Sequence, residues 1–112
     1  MEHVEREIKL PSSPDEVWQA VIDPVRLGDW LDGVLDITLR PGARGRFRSR
    51  EGVARRVVIL GVDDGEELSF AWWPETAAGS SSTVTITVAL DAAGGSIVRV
   101  RETRAQAMLA TA

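Results

Sequence analysis

The chain has no cysteine and no tyrosine, and it holds a single histidine and a single lysine. Without cysteine there is no disulfide framework, no thiolate metal site and no cysteine nucleophile, which fits a reducing compartment. His3 stands alone, with no partner at a spacing useful for a metal ion or a proton relay, and strand parity points it to solvent. Ser12-Ser13 and the run Ser80 to Thr83 lack a histidine base to activate them, so they suit a cap and a loop. No catalytic residue, metal site or cofactor is expected. No apolar run approaches the roughly 20 residues of a membrane-spanning helix. MEHVEREIKL lacks the basic-then-apolar order of a signal peptide. The expectation is a soluble, cytoplasmic protein with no membrane association.

At 112 residues the chain is read as one domain over residues 1–112, large enough for a core without a metal or disulfide. A net charge of −4 argues against a nucleic-acid partner, because phosphate contacts demand a basic surface. Twelve of the 13 basic residues are arginine; their scatter over several strands fits coding bias better than a dedicated anion site. The aromatics are four tryptophans and two phenylalanines. Rings without a hydroxyl suit a core or a greasy pocket.

Residues Glu2 to Leu10 alternate, with Val4, Arg6, Ile8 and Leu10 on one face, which predicts a half-buried strand. Ser13-Pro14-Asp15-Glu16 is a capping box with proline at the first helical position. Val17, Trp18, Val21 and Ile22 follow at helical spacing. Asp23-Pro24 closes that helix, and a second runs from about Val25 to Leu31, presenting Leu27, Trp30 and Leu31. Thereafter the period is two. Strands are predicted at Val34–Leu39, Arg46–Arg50, Ala54–Val62, Glu67–Trp73, Ser82–Leu90 and Ser96–Arg104, separated by turn signals such as Asp63-Asp64-Gly65. A short helix is expected after Arg104. The order β-α-α-β-β-β-β-β-β reads as an antiparallel meander with helices on one side. Leu68, Phe70 and Trp72 oppose Ser69, Ala71 and Trp73; Val84, Ile86, Val88 and Leu90 oppose a threonine-rich face.

EREIKLPSSPDEVWQAVIDPVRLGDWL resembles the opening of the Hsp90 ATPase activator homologue 1-like family, with its proline-capped V-W helix and D-P-x-R-L-x-x-W-L helix. PGARGRFRSR resembles that family's glycine-rich strand entry, ELSFAWW its L-x-F-x-W strand, and STVTITVALDAAGGSIVRV its final hairpin. The similarity spans about residues 2 to 103. It implies an α+β, START-like and Bet v 1-like (SRPBCC) helix-grip fold. That fold is a curved antiparallel sheet of six or seven strands with two short N-terminal helices, gripping a long C-terminal helix over an apolar cavity. Here the long helix is expected to be missing or reduced to a stub, since the chain stops at Ala112.

The resemblance implies non-enzymatic binding of a small hydrophobic molecule on the concave face. The alternatives are a protein-interaction module with a chaperone partner, and a polyketide cyclase-like or hydrolase enzyme. Ligand-binding candidates are Trp30, Phe47, Phe70, Trp72, Val98 and Glu102. An uncovered apolar face predicts a homodimer in which the partner's sheet or tail acts as lid. If Ile8 opposes Val100 across the first and last strands, Arg6 falls opposite Glu102 and Glu7 opposite Arg101, a cross-strand ion pairing; the alternative is a polar anchor for a ligand head group. Arg44, Arg46, Arg48 and Arg50, with Arg55 and Arg56 across the turn, form a basic stripe that reads as a solvated face guarding an edge strand, or else as a seat for an anionic partner.

Overall fold

A computed structural model describes residues 2–76 and 80–104. The side chain of His3 and the helix expected after Arg104 lie outside the described residues. The order is β1 (Glu2–Leu10), α1 (Pro14–Val21), α2 (Pro24–Trp30), β2 (Gly33–Asp36), β3 (Arg44–Ser49), β4 (Ala54–Asp63), β5 (Glu67–Pro74), β6 (Ser82–Leu90) and β7 (Ser96–Arg104). All seven strands form one antiparallel sheet in the order β1-β7-β6-β5-β4-β3-β2. Among the described residues there is no long C-terminal helix, and no helix is long and apolar enough to cross a membrane.

Helix α1 begins as its sequence dictates. The Ser13 hydroxyl accepts from the Glu16 amide, and Glu16 accepts from the Ser13 amide in return, with Pro14 at the first helical position. That reciprocal cap satisfies two amides the helix itself cannot. The buried stripe Val17, Trp18 and Val21 faces the sheet. Asp23 caps α2 by accepting from the Val25 amide, and Leu27 becomes one of the most deeply buried side chains. The tip of the β4–β5 hairpin latches onto α1: Trp18 Nε1 donates to Asp64 Oδ1 at 3.0 Å. At the other end, Ser96, fully buried, donates through its hydroxyl to the Ser12 carbonyl at 2.7 Å.

Leu35, Phe47, Val57, Ile59, Leu68, Phe70, Trp72, Val84, Ile86, Val88 and Val98 supply the inner face and are buried together with the helical stripe. Strand β2 stops at Asp36, short of the expected Leu39. Its last partner on β3 is Arg46, and beyond it the segment 37–43 folds onto β4, where Gly42 donates to the Ile59 carbonyl and Ile59 to that of Ala43. Strand β3 starts two residues early, at Arg44. Gly45 permits this, because a Cβ there would run into the Asp36 carbonyl and Ile37.

The β1–β7 register corrects one expectation. Ile8 opposes Val98, Arg6 opposes Val100, and Val4 opposes Glu102. This is a two-residue shift that keeps every face assignment but removes the Arg6–Glu102 pairing. The outer-face ion pairs move accordingly: Arg99 Nε meets Glu7 Oε1 at 2.8 Å and Arg101 Nη2 meets Glu5 Oε2 at 2.8 Å. These two ion pairs tie β1 to β7, strands that no hairpin turn joins.

Candidate functional site

The inner face of the sheet carries two distinct regions. The first is an apolar cleft of about 240 Å³ between the two helices and the β1–β7 edge, lined by Leu10, Val17, Ala20, Val21, Arg26, Leu27, Trp30 and Val98. Helical geometry builds one wall. Val17, Ala20 and Val21 share one face of α1, and Arg26 and Trp30 sit four apart on α2, hence one above the other. The opposite wall comes from the sheet: Leu10 ends β1, and Val98, fully buried, lies on β7. Trp30 remains 43% exposed and Leu10 37%, so apolar surface faces solvent at this place. Arg26 is the charged member of the lining, and its Nε lies 3.9 Å from Asp23 Oδ2.

The second region is an aromatic cluster. Phe47 and Phe70 each lie 5.3 Å from Trp72, ring centre to ring centre, Phe70 edge-on. All three are buried. Trp72 Nε1 donates to Glu102 Oε2 at 3.1 Å, and the Arg55 guanidinium sits over the Trp72 ring at 4.4 Å, within cation–π range. Glu102 therefore serves as the acceptor for a buried indole N–H, the group that would otherwise be an unsatisfied donor.

The six candidate residues thus fall into two sets. Trp30 and Val98 line the open cleft, whereas Phe47, Phe70 and Trp72 pack on one another and Glu102 is tied to Trp72. Of the eight lining residues the sequence pointed only to Trp30 and Val98. Val17, Val21 and Leu27 were expected as helix core, and Leu10, Ala20 and Arg26 were not singled out, although the i,i+4 spacing of Arg26 and Trp30 was there to be read. It also grouped Arg55 with the outer basic stripe. Arg55 pairs with Phe47 across β3 and β4 and shares a face with Val57 and Ile59, so the pleat turns it inward. Among the described residues no group of three or more His, Cys, Asp or Glu side chains could hold a metal ion.

Protein MLL2253 from Mesorhizobium loti superposes with a TM-score of 0.78 at 20% identity, covering 94% of this chain and 78% of its own. DynU16, a protein of the dynemicin biosynthetic locus, gives 0.79 at 25% identity, over 99% of this chain and 41% of its own. Ara h 8.0201 gives 0.71 at 16% identity, over 92% of this chain and 76% of its own. These likenesses place the chain in the Bet v 1-like, SRPBCC fold. A search of the curated proteins found no match. The profile described as "Activator of Hsp90 ATPase homolog 1-like protein" matches residues 11–111. That match takes in both capped helices and strands β2 to β7, and the protein belongs to the Activator of Hsp90 ATPase homolog 1-like family.

Proposed function

We propose that this chain binds a small hydrophobic molecule, without chemical turnover, in the cleft between α1, α2 and the β1–β7 edge. The observation that carries the reading is the half-exposed Trp30 indole standing over an apolar, solvent-open cleft. A concave, mostly apolar site with a few polar groups at its rim is the usual form of a small-molecule pocket. The volume of about 240 Å³ limits that occupant. It lies between the roughly 150 Å³ that accepts benzene and the roughly 300 Å³ where drug-sized pockets begin. One or two fused rings fit, or the apolar end of a longer molecule. Arg26 at the lining favours a polar or anionic substituent directed outward. A relative from a biosynthetic locus at 25% identity is in keeping with a small organic ligand. A ligand of about ten non-hydrogen atoms at about 0.5 kcal/mol per atom binds with a Kd of about 0.2 mM.

Indole, titrated by two-dimensional NMR, tests this. Shifts are expected at the Trp30 indole N–H proton and at Val98. The substitution Ala20→Phe fills the cleft from a helical position, so it should weaken indole at least tenfold while leaving the melting temperature within a few degrees. Equal affinity in A20F, or shifts confined to other tryptophans, would refute the cleft as the site.

A further inference from the structure

The outer face of the sheet carries a feature that the cleft does not explain. Arg46 on β3 lies directly opposite Arg56 on β4, and Arg56 in turn lies directly opposite Trp73 on β5. Arg44 precedes Arg46 by two residues on the same strand, and so shares its face. Like charges directly across a ladder repel; the fold nonetheless places these guanidinium groups side by side. Together with Gly45 and Val58 they wall a depression of about 260 Å³ on the side of the sheet away from the helices.

The polar groups around the depression are unevenly satisfied. Arg46 Nε lies 2.9 Å from Glu75 Oε2, an oxygen closed to solvent, so Glu75 tethers this one guanidinium at the rim. Among the described residues Arg44 and Arg56 make no ion pair, and neither does Asp36, the neighbour of Arg46 on β2. The tryptophans differ in the same way. Trp18 and Trp72 each donate their indole N–H to a carboxylate, whereas Trp73, like Trp30, has no acceptor among the described residues. Three arginines and a half-buried ring with an available N–H therefore converge on one small concavity, in a chain whose net charge is −4.

We propose that this depression binds a small molecule carrying an oxyanion, phosphate or carboxylate, on a planar ring. Guanidinium groups match both oxyanions bidentately. Seated between Arg46 and Arg56, the anion turns their mutual repulsion into two attractive pairs, and Arg44 closes the third side. The ring of the ligand lies against Trp73, where offset stacking and the available N–H both act. The size of the depression suits such a molecule rather than a macromolecular surface. The site is on the opposite face of the sheet from the proposed hydrophobic cleft and stands or falls separately from it.

The test uses phenyl phosphate, inorganic phosphate and benzyl alcohol at constant ionic strength, with binding read by NMR at the Trp73 and Trp30 indole N–H protons. Phenyl phosphate should shift Trp73 with a submillimolar Kd, at least fivefold tighter than inorganic phosphate, and benzyl alcohol should leave Trp73 unmoved. Benzoate in a fourth arm distinguishes carboxylate from phosphate as the preferred anion. R56Q and R44Q should each weaken phenyl phosphate at least tenfold. Because R56Q also removes a cross-strand repulsion, its melting temperature at low salt should equal or exceed that of the parent, which separates lost binding from lost folding. Unchanged affinity in R56Q, or shifts at Trp30 alone, would overturn the proposal. So would a hexa-aspartate peptide that displaces phenyl phosphate from Trp73, since it would assign the surface to an acidic protein segment.

Discussion

Replacing Glu102 by leucine tests how the inner face is held together. Trp72 is 8% exposed, and its N–H has the Glu102 carboxylate as acceptor at 3.1 Å. A hydrogen bond to a charged group contributes about 1.5–3 kcal/mol, and a buried donor left without an acceptor costs about as much. Glu102 is only half-buried, and a leucine there gains some apolar contact beside Val84, so E102L should cost about 1.5 kcal/mol, at the lower end. For a domain of this size that lowers Tm by about 6 °C. A double-mutant cycle isolates the contact. W72F alone removes the N–H together with ring area and the Arg55 contact. Combined with E102L, it should be less destabilising than the two single changes added, by about 1 kcal/mol. The control cycle, R6L with E102L, should show coupling within about 0.5 kcal/mol, because Arg6 stands opposite Val100. Urea denaturation followed by far-UV circular dichroism reads all the variants without depending on tryptophan emission. Coupling larger for Arg6–Glu102 than for Trp72–Glu102 would refute both the register and the role given to Glu102.

Three further outcomes follow from named contacts. Gly33→Ala should cost about 3 kcal/mol or more and broaden near-UV circular dichroism, since the new Cβ would run into the Arg48 carbonyl and the Phe47 ring. Ser13→Ala removes half of the reciprocal cap on α1 and should cost about 1 kcal/mol by thermal denaturation. Asp64→Ala orphans the indole N–H of Trp18, which is 3% exposed, at a cost of about 1–2 kcal/mol; Asp64→Asn, which keeps an acceptor, should recover most of the loss.

The strands β1, β6 and β7 were legible in the sequence to the residue, because each is a long alternating run bounded by turn or cap chemistry. The β1–β7 register was not. Parity decides which face a residue takes, and any even shift satisfies it equally, so Ile8 opposite Val98 and Ile8 opposite Val100 look alike on paper. Within the hairpins the turn sets the offset; between β1 and β7 there is no turn. The candidate site divided along similar lines. The inward aromatics Phe47, Phe70 and Trp72 follow from alternation alone. Which of them stay open depends on packing between distant elements, and the helices rather than the sheet strands leave the gap. Arg55 was within reach: read in step with Val57 and Ile59 it faces inward, and only its position beside Arg56 made it look like part of the outer stripe.

The ladder between β1 and β7 also bears on how the chain folds. Its ion pairs join residues 92 and 96 positions apart, while β2 to β7 pair with their immediate neighbours in sequence. Contacts of short separation close quickly, and distant ones must first overcome the entropy of a long loop. The meander is therefore expected to assemble early, with the N-terminal strand adding to its free edge last. Until it does, Val98 and Leu27 lack the Leu10 wall, so the cleft takes shape only in the final step of folding.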